Sequence, residues 1–256
     1  MNGTDKTVAT LWLGRISYRR AWILQSRLAE AIAAGKQPPA LLLLEHPHTY
    51  TLGRSGSWDN LLWDQQQIIK KGVEVHEADR GGDITYHGPG QLVAYPLLPL
   101  GQVDAEGHLP GPDFHGYLRK LELILIQALA KWGIEAAPIE GLTGVWVDSS
   151  GSVEDHSQLP AKIGAIGVKI DANGVSRHGF ALNVDPDMSY WKGIVPCGIL
   201  NYPVTSIANE LAAVPSMDEV RAEILRQFAK VFDVSLVDFD SSKPLSADGV
   251  LEGPTA

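Results

Sequence analysis

The chain contains one cysteine, Cys197, in the stretch Ile194-Val195-Pro196-Cys197-Gly198. A structural cysteine usually fills an apolar position of a helix or strand as a small hydrophobe. The turn-forming neighbours Pro196 and Gly198 instead place this thiol on a loop, where a nucleophile belongs and where idle cysteines are also found. A thiol becomes useful near neutral pH only beside a base or a cation. Lys162, His87 and His178 have the right chemistry for that partner.

Lys162 and Lys169 flank the apolar run Lys-Ile-Gly-Ala-Ile-Gly-Val-Lys. Their spacing is odd, so on a strand they point to opposite faces and at most one faces a given site. A lysine among small residues can reach across a cavity; a surface strand lysine is the competing reading. The glycine-rich loop Arg80-Gly81-Gly82-Asp83-Ile84-Thr85-Tyr86-His87-Gly88-Pro89-Gly90 fits neither common nucleotide-binding glycine pattern, and Pro89 removes an amide donor. Its glycines permit close backbone approach, and its polar residues can surround a ligand or simply brace a tight loop. His46-Pro47-His48 lacks the ligand array of a zinc site, and most of the histidines are expected at the surface.

A single cysteine allows no intramolecular disulfide and no CxxC metal site, which points to a reducing compartment. A formal net charge of -9 argues against nonspecific nucleic-acid binding, so an acidic partner needs a local basic patch. With 256 residues, 45% of them hydrophobic, the chain can build a substantial core. No apolar run is long enough to span a bilayer and the N-terminus lacks a signal-peptide pattern, which predicts a cytoplasmic protein.

These residues need elements to position them. The spacing predicts an amphipathic helix over Ser17 to Ala34, stopped by Gly35, whose outer face offers Arg15, Arg19, Arg20 and Arg27. Ala40 to Glu45 reads as a buried strand. Gly72 to Leu98 reads as two strands joined by the glycine loop, and Asp113 caps a helix that ends near Gly133. Asn173-Gly174 signals a hairpin between Ala161–Ile170 and Val175–Val184. Thr205 or Ser206 caps a short helix to Ala213, and Ser216 with Glu219 forms a capping box opening a helix from Met217 to Phe232. The stretch 148–160 reads as a solvated surface insertion and 241–256 as a disordered tail. The pattern predicts one α+β domain over residues 1–240, a mixed β-sheet with packed helices.

Taken together, His-Pro-His-Thr-Tyr-Thr-Leu-Gly-Arg, the glycine loop with Gln91 to Leu98, Leu142 to Trp146, Ala161 to Ile170, His178 to Val184, and Ile194 to Ile199 with Val204 to Ile207 resemble the lipoate-protein ligase B family, the octanoyltransferases. The segments occur in the family's order between Leu41 and Ile207. The resemblance implies the fold of the biotin and lipoate ligase catalytic domain. It implies transfer of an octanoyl group from octanoyl-acyl carrier protein to a lysine of lipoyl domains, those of 2-oxoacid dehydrogenases and the glycine cleavage H protein, as the first step of protein lipoylation. No cofactor or metal is implied, and no ATP, because the chain arrives as a thioester. Carried over by motif, Cys197 and Lys162 are the catalytic pair. The acyl pocket is expected to be lined by Arg80, Gly81, Gly82, Asp83, Ile84, Thr85, Tyr86 and His87, by Ala165, Ile166 and Gly167, and by Gly179, Phe180 and Ala181. A monomer without nucleic-acid or membrane partners is expected. Two other readings make different predictions: an ATP-dependent ligase on the same fold would use free acid with ATP, and a noncatalytic acyl-binding protein would form no covalent adduct.

Overall fold

The computed structural model describes residues 7–101, 113–148, 159–198 and 202–239. The elements in order are β1 (Thr7–Arg15), α1 (Tyr18–Ala33), β2 (Ala40–Glu45), β3 (Thr49–Leu52), α2 (Gln65–Lys71), β4 (Glu74–Glu77), β5 (Thr85–His87) and β6 (Gln91–Leu97). They continue with α3 (Phe114–Ala130), β7 (Ala136–Ile139), β8 (Leu142–Val147), β9 (Ala161–Ile170), β10 (Ser176–Asn183), α4 (Ile207–Glu210), α5 (Met217–Phe232) and β11 (Ser235–Asp238).

The unbroken leucines of β2 have partners on both faces, as a fully covered strand requires. Leu42 and Leu44 pack with Val93 and Tyr95 of β6 under α1, through Leu24 and Leu28. Leu41 and Leu43 face the opposite way, into the larger core closed by α3 and α5 through Leu121, Leu125, Ile224 and Phe228. The main sheet has the order β11-β1-β2-β6-β10-β9-β8-β7 and is therefore a central layer with helices on both sides. Its β11, β1 and β2 are parallel and the rest of the ladder from β2 onward is antiparallel. This is the mixed sheet expected of an α+β chain. A second sheet, β4-β3-β5, has its own core of Tyr50, Ile84, Tyr86, Tyr190 and Trp191.

Local signals set most element ends. Asp113 accepts from the Gly116 amide at 2.7 Å, Ser216 and Glu219 form the reciprocal capping box of α5, and Gly133 takes φ 77° after α3. The β9–β10 hairpin turns through Asn173-Gly174, with Gly174 at φ 77°.

Three expectations change. The two strands expected within Gly72 to Leu98 are β4 of the small sheet and β6 of the large one, but the glycine loop between them holds a third strand, β5, which joins the small sheet. Arg15 ends β1 rather than lying on the helix, and its guanidinium sits 3.6 Å from Glu45. The short helix from Ser206 stops at Glu210, because Leu211 turns extended (φ -127°, ψ 138°) and packs on the core instead. The expected tail at 241–256 and most of the 148–160 insertion lie outside the described residues.

Candidate active site

The glycine loop is held by backbone as well as side chains. Amides of Gly53, Arg54 and Ser55 donate to the carbonyls of Asp83, Arg80 and Gly82, and the Gly81 amide donates to Val168 of β9 at 3.0 Å. Arg80 is buried; its Nη2 donates to the Thr51 hydroxyl at 2.8 Å and its Nη1 to the Gly81 carbonyl at 3.0 Å. The close approach needs a glycine at position 53, where a Cβ would stand 2.2 Å from the Gly82 oxygen. The loop thus bridges the small sheet to β9.

Between the loop and the hairpin lies a pocket that opens to solvent, with about 500 Å³ of empty space when its open mouth is included. Of the residues expected there, Arg80, Gly81, Gly82, Asp83, Thr85, His87, Ala165, Ile166, Gly167, Gly179, Phe180 and Ala181 line it. Ile84 and Tyr86 do not: both are fully buried in the small-sheet core. The reason is the two-residue period of an extended chain, which sends Asp83, Thr85 and His87 to one side and Ile84 and Tyr86 to the other.

Four lining residues were not among those expected: Tyr18, Val93, Tyr95 and His178. Tyr18 comes from the first turn of α1, and its hydroxyl has no hydrogen-bond partner among the described residues. Burial pushes that hydroxyl up to about 12, so it stays a neutral donor.

Three histidines around the pocket are buried. His46, His87 and His178 are each less than a tenth exposed. The neutral His46 ring donates from Nδ1 to the Ile16 carbonyl at 2.7 Å and accepts at Nε2 from the Tyr95 hydroxyl at 2.8 Å. His87 donates from Nδ1 to Gln91 Oε1 at 2.7 Å, and Gln91 in turn donates to Asn183 Oδ1 at 2.8 Å. That fixes the tautomer and makes the Nε2 of His87, a pocket residue, an acceptor. Asn183 continues the chain to the Thr205 carbonyl at 2.9 Å, and the Thr205 amide donates to the Lys162 carbonyl at 2.9 Å.

His178 holds φ 58°, a left-handed conformation that costs a non-glycine residue on the order of 1 kcal/mol or more. Its amide donates to Gln25 of α1 at 2.7 Å and its Nε2 to Asp79 at 2.6 Å, which over-determine the conformation. Asp79 also pairs with Lys169 at 2.6 Å and lies 3.7 Å from Arg177. The His178 hydrogen bond, above all, holds the Asp79 carboxyl well below the usual carboxylate range. The acid just before Arg80-Gly81-Gly82 was the unread signal for this cluster.

These rings make acid sensitivity a built-in property. Burial lowers His46 from 6.5 to about 4, and it also lowers His87 and His178. Between the folded and unfolded values the unfolded chain binds more protons, so stability rises with pH. It is fully present above 6.5 and is lost as pH falls toward 4. For His46 alone the loss amounts to about 3 kcal/mol. Urea unfolding midpoints are therefore expected to fall steadily from pH 7 to pH 4; a flat profile would show that these rings are not held neutral.

Lys162 and Lys169 stand near opposite ends of β9 and meet different partners. Lys169 meets Asp79, whereas the Lys162 ammonium lies 4.5 Å from the centroid of the Trp146 ring. Lys162 is buried and is not among the residues lining the pocket. Cys197 stands at the middle of the 3-10 turn Pro196–Gly198; its side chain lies outside the described part of the structure. The turn packs against β5, and a Cβ on Gly198 would meet the pocket residue Asp83 at 2.6 Å.

The sequence profile of the lipoyl protein ligase A/B catalytic domain matches residues 17–229. The chain belongs to the lipoyl protein ligase A/B catalytic domain family. Within it, the chain is 44% identical over 227 residues to an octanoyltransferase of Chloroflexus aurantiacus, covering 89% of this chain and 95% of that one. It is 41% identical over 249 residues to an octanoyltransferase of Cytophaga hutchinsonii, covering 91% and 96%. These relationships make this family member an octanoyltransferase acting in protein lipoylation. The family fold is also evident in a bipartite lipoate protein ligase described with its E2 lipoyl domain from Thermoplasma acidophilum. That structure superposes with a TM-score of 0.66 at 17% identity over 98% of this chain and 99% of that one. A lipoate-protein ligase A bound with ATP superposes with a TM-score of 0.64 at 17% identity, over 92% and 89%. Among the described residues no helix is long and apolar enough to cross a membrane.

Proposed function

We propose that this octanoyltransferase works by double displacement through a thioester on Cys197, with Lys162 moving the protons. The Cys197 thiolate attacks the carbonyl carbon of the octanoyl-acyl carrier protein thioester. A new carbon–sulfur bond forms, the bond to pantetheine breaks, and Lys162 gives its proton to the departing sulfur. In the second half a lysine amine of a lipoyl domain attacks the acyl-enzyme, loses its proton to Lys162 and leaves as the amide, releasing the thiolate. Thioester for thioester is nearly neutral and thioester to amide runs downhill, so ATP has no part.

The observation that carries this reading is the placement of the Cys197 turn beside a ready-made pocket. The strand β5 contributes Thr85 and His87 to the pocket and packs against Pro196–Gly198. Ala165, Gly167, Gly179 and Ala181 keep the wall low enough for an alkyl chain, and Phe180 and Val93 make it apolar. The test is intact-mass measurement after mixing the protein with octanoyl-acyl carrier protein. One added octanoyl group that base or hydroxylamine removes is expected; its absence during full turnover sinks the covalent route.

The donor is octanoyl-acyl carrier protein, and the acceptors are lipoyl domains of 2-oxoacid dehydrogenases and the glycine cleavage H protein. The lipoyl domain described with the T. acidophilum ligase supports acceptors of that kind. The enzyme acts as a cytoplasmic monomer. Its net charge of -9 repels an acidic carrier, so docking needs local cations. Arg19 and Arg20 are exposed on the first turn of α1, directly after the pocket residue Tyr18. Changing both to Glu is expected to raise KM for the carrier-borne donor roughly tenfold while leaving an octanoyl-pantetheine donor unaffected. Unchanged carrier dependence would move the docking patch elsewhere.

A further inference from the structure

The segment Leu142-Thr143-Gly144-Val145-Trp146 contributes nothing to the acyl pocket. Its strand β8 pairs with β9, and the register shifts between Val145 and Trp146: Val145 stands opposite Gly164, and Trp146 opposite Lys162. The extra β9 residue, Ile163, makes a bulge, a device that re-aims side chains beside sites. Cross-strand partners touch, and here the contact is an ammonium on an indole face. Lys162 Nζ lies 4.5 Å from the ring centroid of Trp146, which is 2% exposed.

The same segment makes room for the lysine stem. Gly144 has φ 128°, and a Cβ there would stand 2.7 Å from the Gly164 carbonyl and 3.3 Å from Lys162 Cε. Its amide faces Glu122 Oε1 of α3 at 3.4 Å. The Lys162 backbone is pinned separately, its amide donating to Pro203 at 2.8 Å and its carbonyl accepting from Thr205 at 2.9 Å. Backbone, stem and ammonium of this one residue are thus each held by a different feature.

We propose that Gly144 and Trp146 form a cradle that positions Lys162: Gly144 leaves the channel for its methylene stem, and the Trp146 face fixes its ammonium. This rests on the proton-transfer role given to Lys162 above. A cation over a buried indole face is held in place, because the ring attracts the ammonium. Trp146 is a positioning residue, acting through Lys162.

The test compares Trp146→Leu with Trp146→Phe, with Lys162→Ala in parallel. Readouts are kcat and KM with octanoyl-acyl carrier protein, and the pH profile of Cys197 alkylation by iodoacetamide. With Leu, kcat and the alkylation rate at pH 7 are expected to fall about tenfold, with the alkylation midpoint moving to higher pH and KM unchanged. Phe, which keeps an aromatic face, is expected to restore most of both. A folded Leu variant with wild-type kcat and alkylation profile overturns the cradle, as do Leu and Phe variants equally slow with wild-type alkylation profiles. If Lys162→Ala is slow while Trp146→Leu is not, only the cradle fails; if Lys162→Ala is fully active, the role of Lys162 fails and the cradle with it. A measurement on the wild type covers the case of an unfolded variant. In protein labelled with [13Cε]lysine, the Lys162 methylene, assigned by its loss in Lys162→Arg, is expected upfield through the indole ring current. A random-coil position overturns the proposal.

Discussion

Cys197→Ser is expected to lower octanoyl transfer on the order of 10³-fold or more. The hydroxyl occupies nearly the same volume as the thiol, so pocket and turn should survive. What is lost is nucleophilicity, since a serine at neutral pH carries essentially no alkoxide without a dedicated base. Whatever acyl transfer does occur should stop at an ester, which resists hydroxylamine conditions that strip a thioester. Mass measurement before and after that treatment separates the two linkages. A Cys197→Ser enzyme with near wild-type turnover would mean that the acyl group passes directly from carrier to acceptor.

Lys162→Ala is expected to lower kcat by about 10² to 10⁴, the range for losing a general acid–base group. In the proposed cycle two steps pass a proton through this position, so both half-reactions should slow. Single-turnover acylation by octanoyl carrier and deacylation by a lipoyl domain can be followed separately by mass. The KM for the carrier should stay put, because Lys162 is buried away from the surface. Thiol alkylation by iodoacetamide should also slow at pH 7; alkylation at the wild-type rate would remove the lysine from activation of the cysteine.

The strongest local signals in the sequence were those with one physical cause. The leucines of β2, the capping box of α5 and the Asn-Gly turn of the hairpin each read directly. Helix α2 was missed because its apolar residues do not buy a buried face: Ile69 is 71% exposed. Its capping box, Asp64 with Gln67, was nonetheless legible. The edge strands β7 and β11 are short and mostly exposed, so their alternation is weak, and their strand form comes from their neighbours.

The pocket was legible where it is built from contiguous motif, in the glycine loop and the small residues of β9 and β10. Tyr18, Val93 and Tyr95 come from α1 and β6, and only the layering of α1 over the sheet brings them there. Ile84 and Tyr86 entered the expected pocket as part of the motif carried over whole, although reading Thr85 to His87 as a strand would have turned them outward. The three buried histidines carried no local mark, because burial of a polar ring depends on partners such as Tyr95, Gln91 and Asp79 supplied from other elements.

The pocket wall has two builders. Arg80 to His87 is anchored to the small sheet through Thr51 and the loop at Gly53, while Ala165 to Gly167 and Gly179 to Ala181 belong to the large one. Those sheets have separate hydrophobic cores. An alkyl chain held between them, as proposed for the octanoyl group, would be a keystone, and reciprocity of linked equilibria would apply: whatever factor correct seating of the two sheets adds to the chain's affinity, the chain returns to the seating. Under that proposal, occupancy and assembly of the reactive face form one thermodynamic variable, and filling the site also joins the two sheets more firmly.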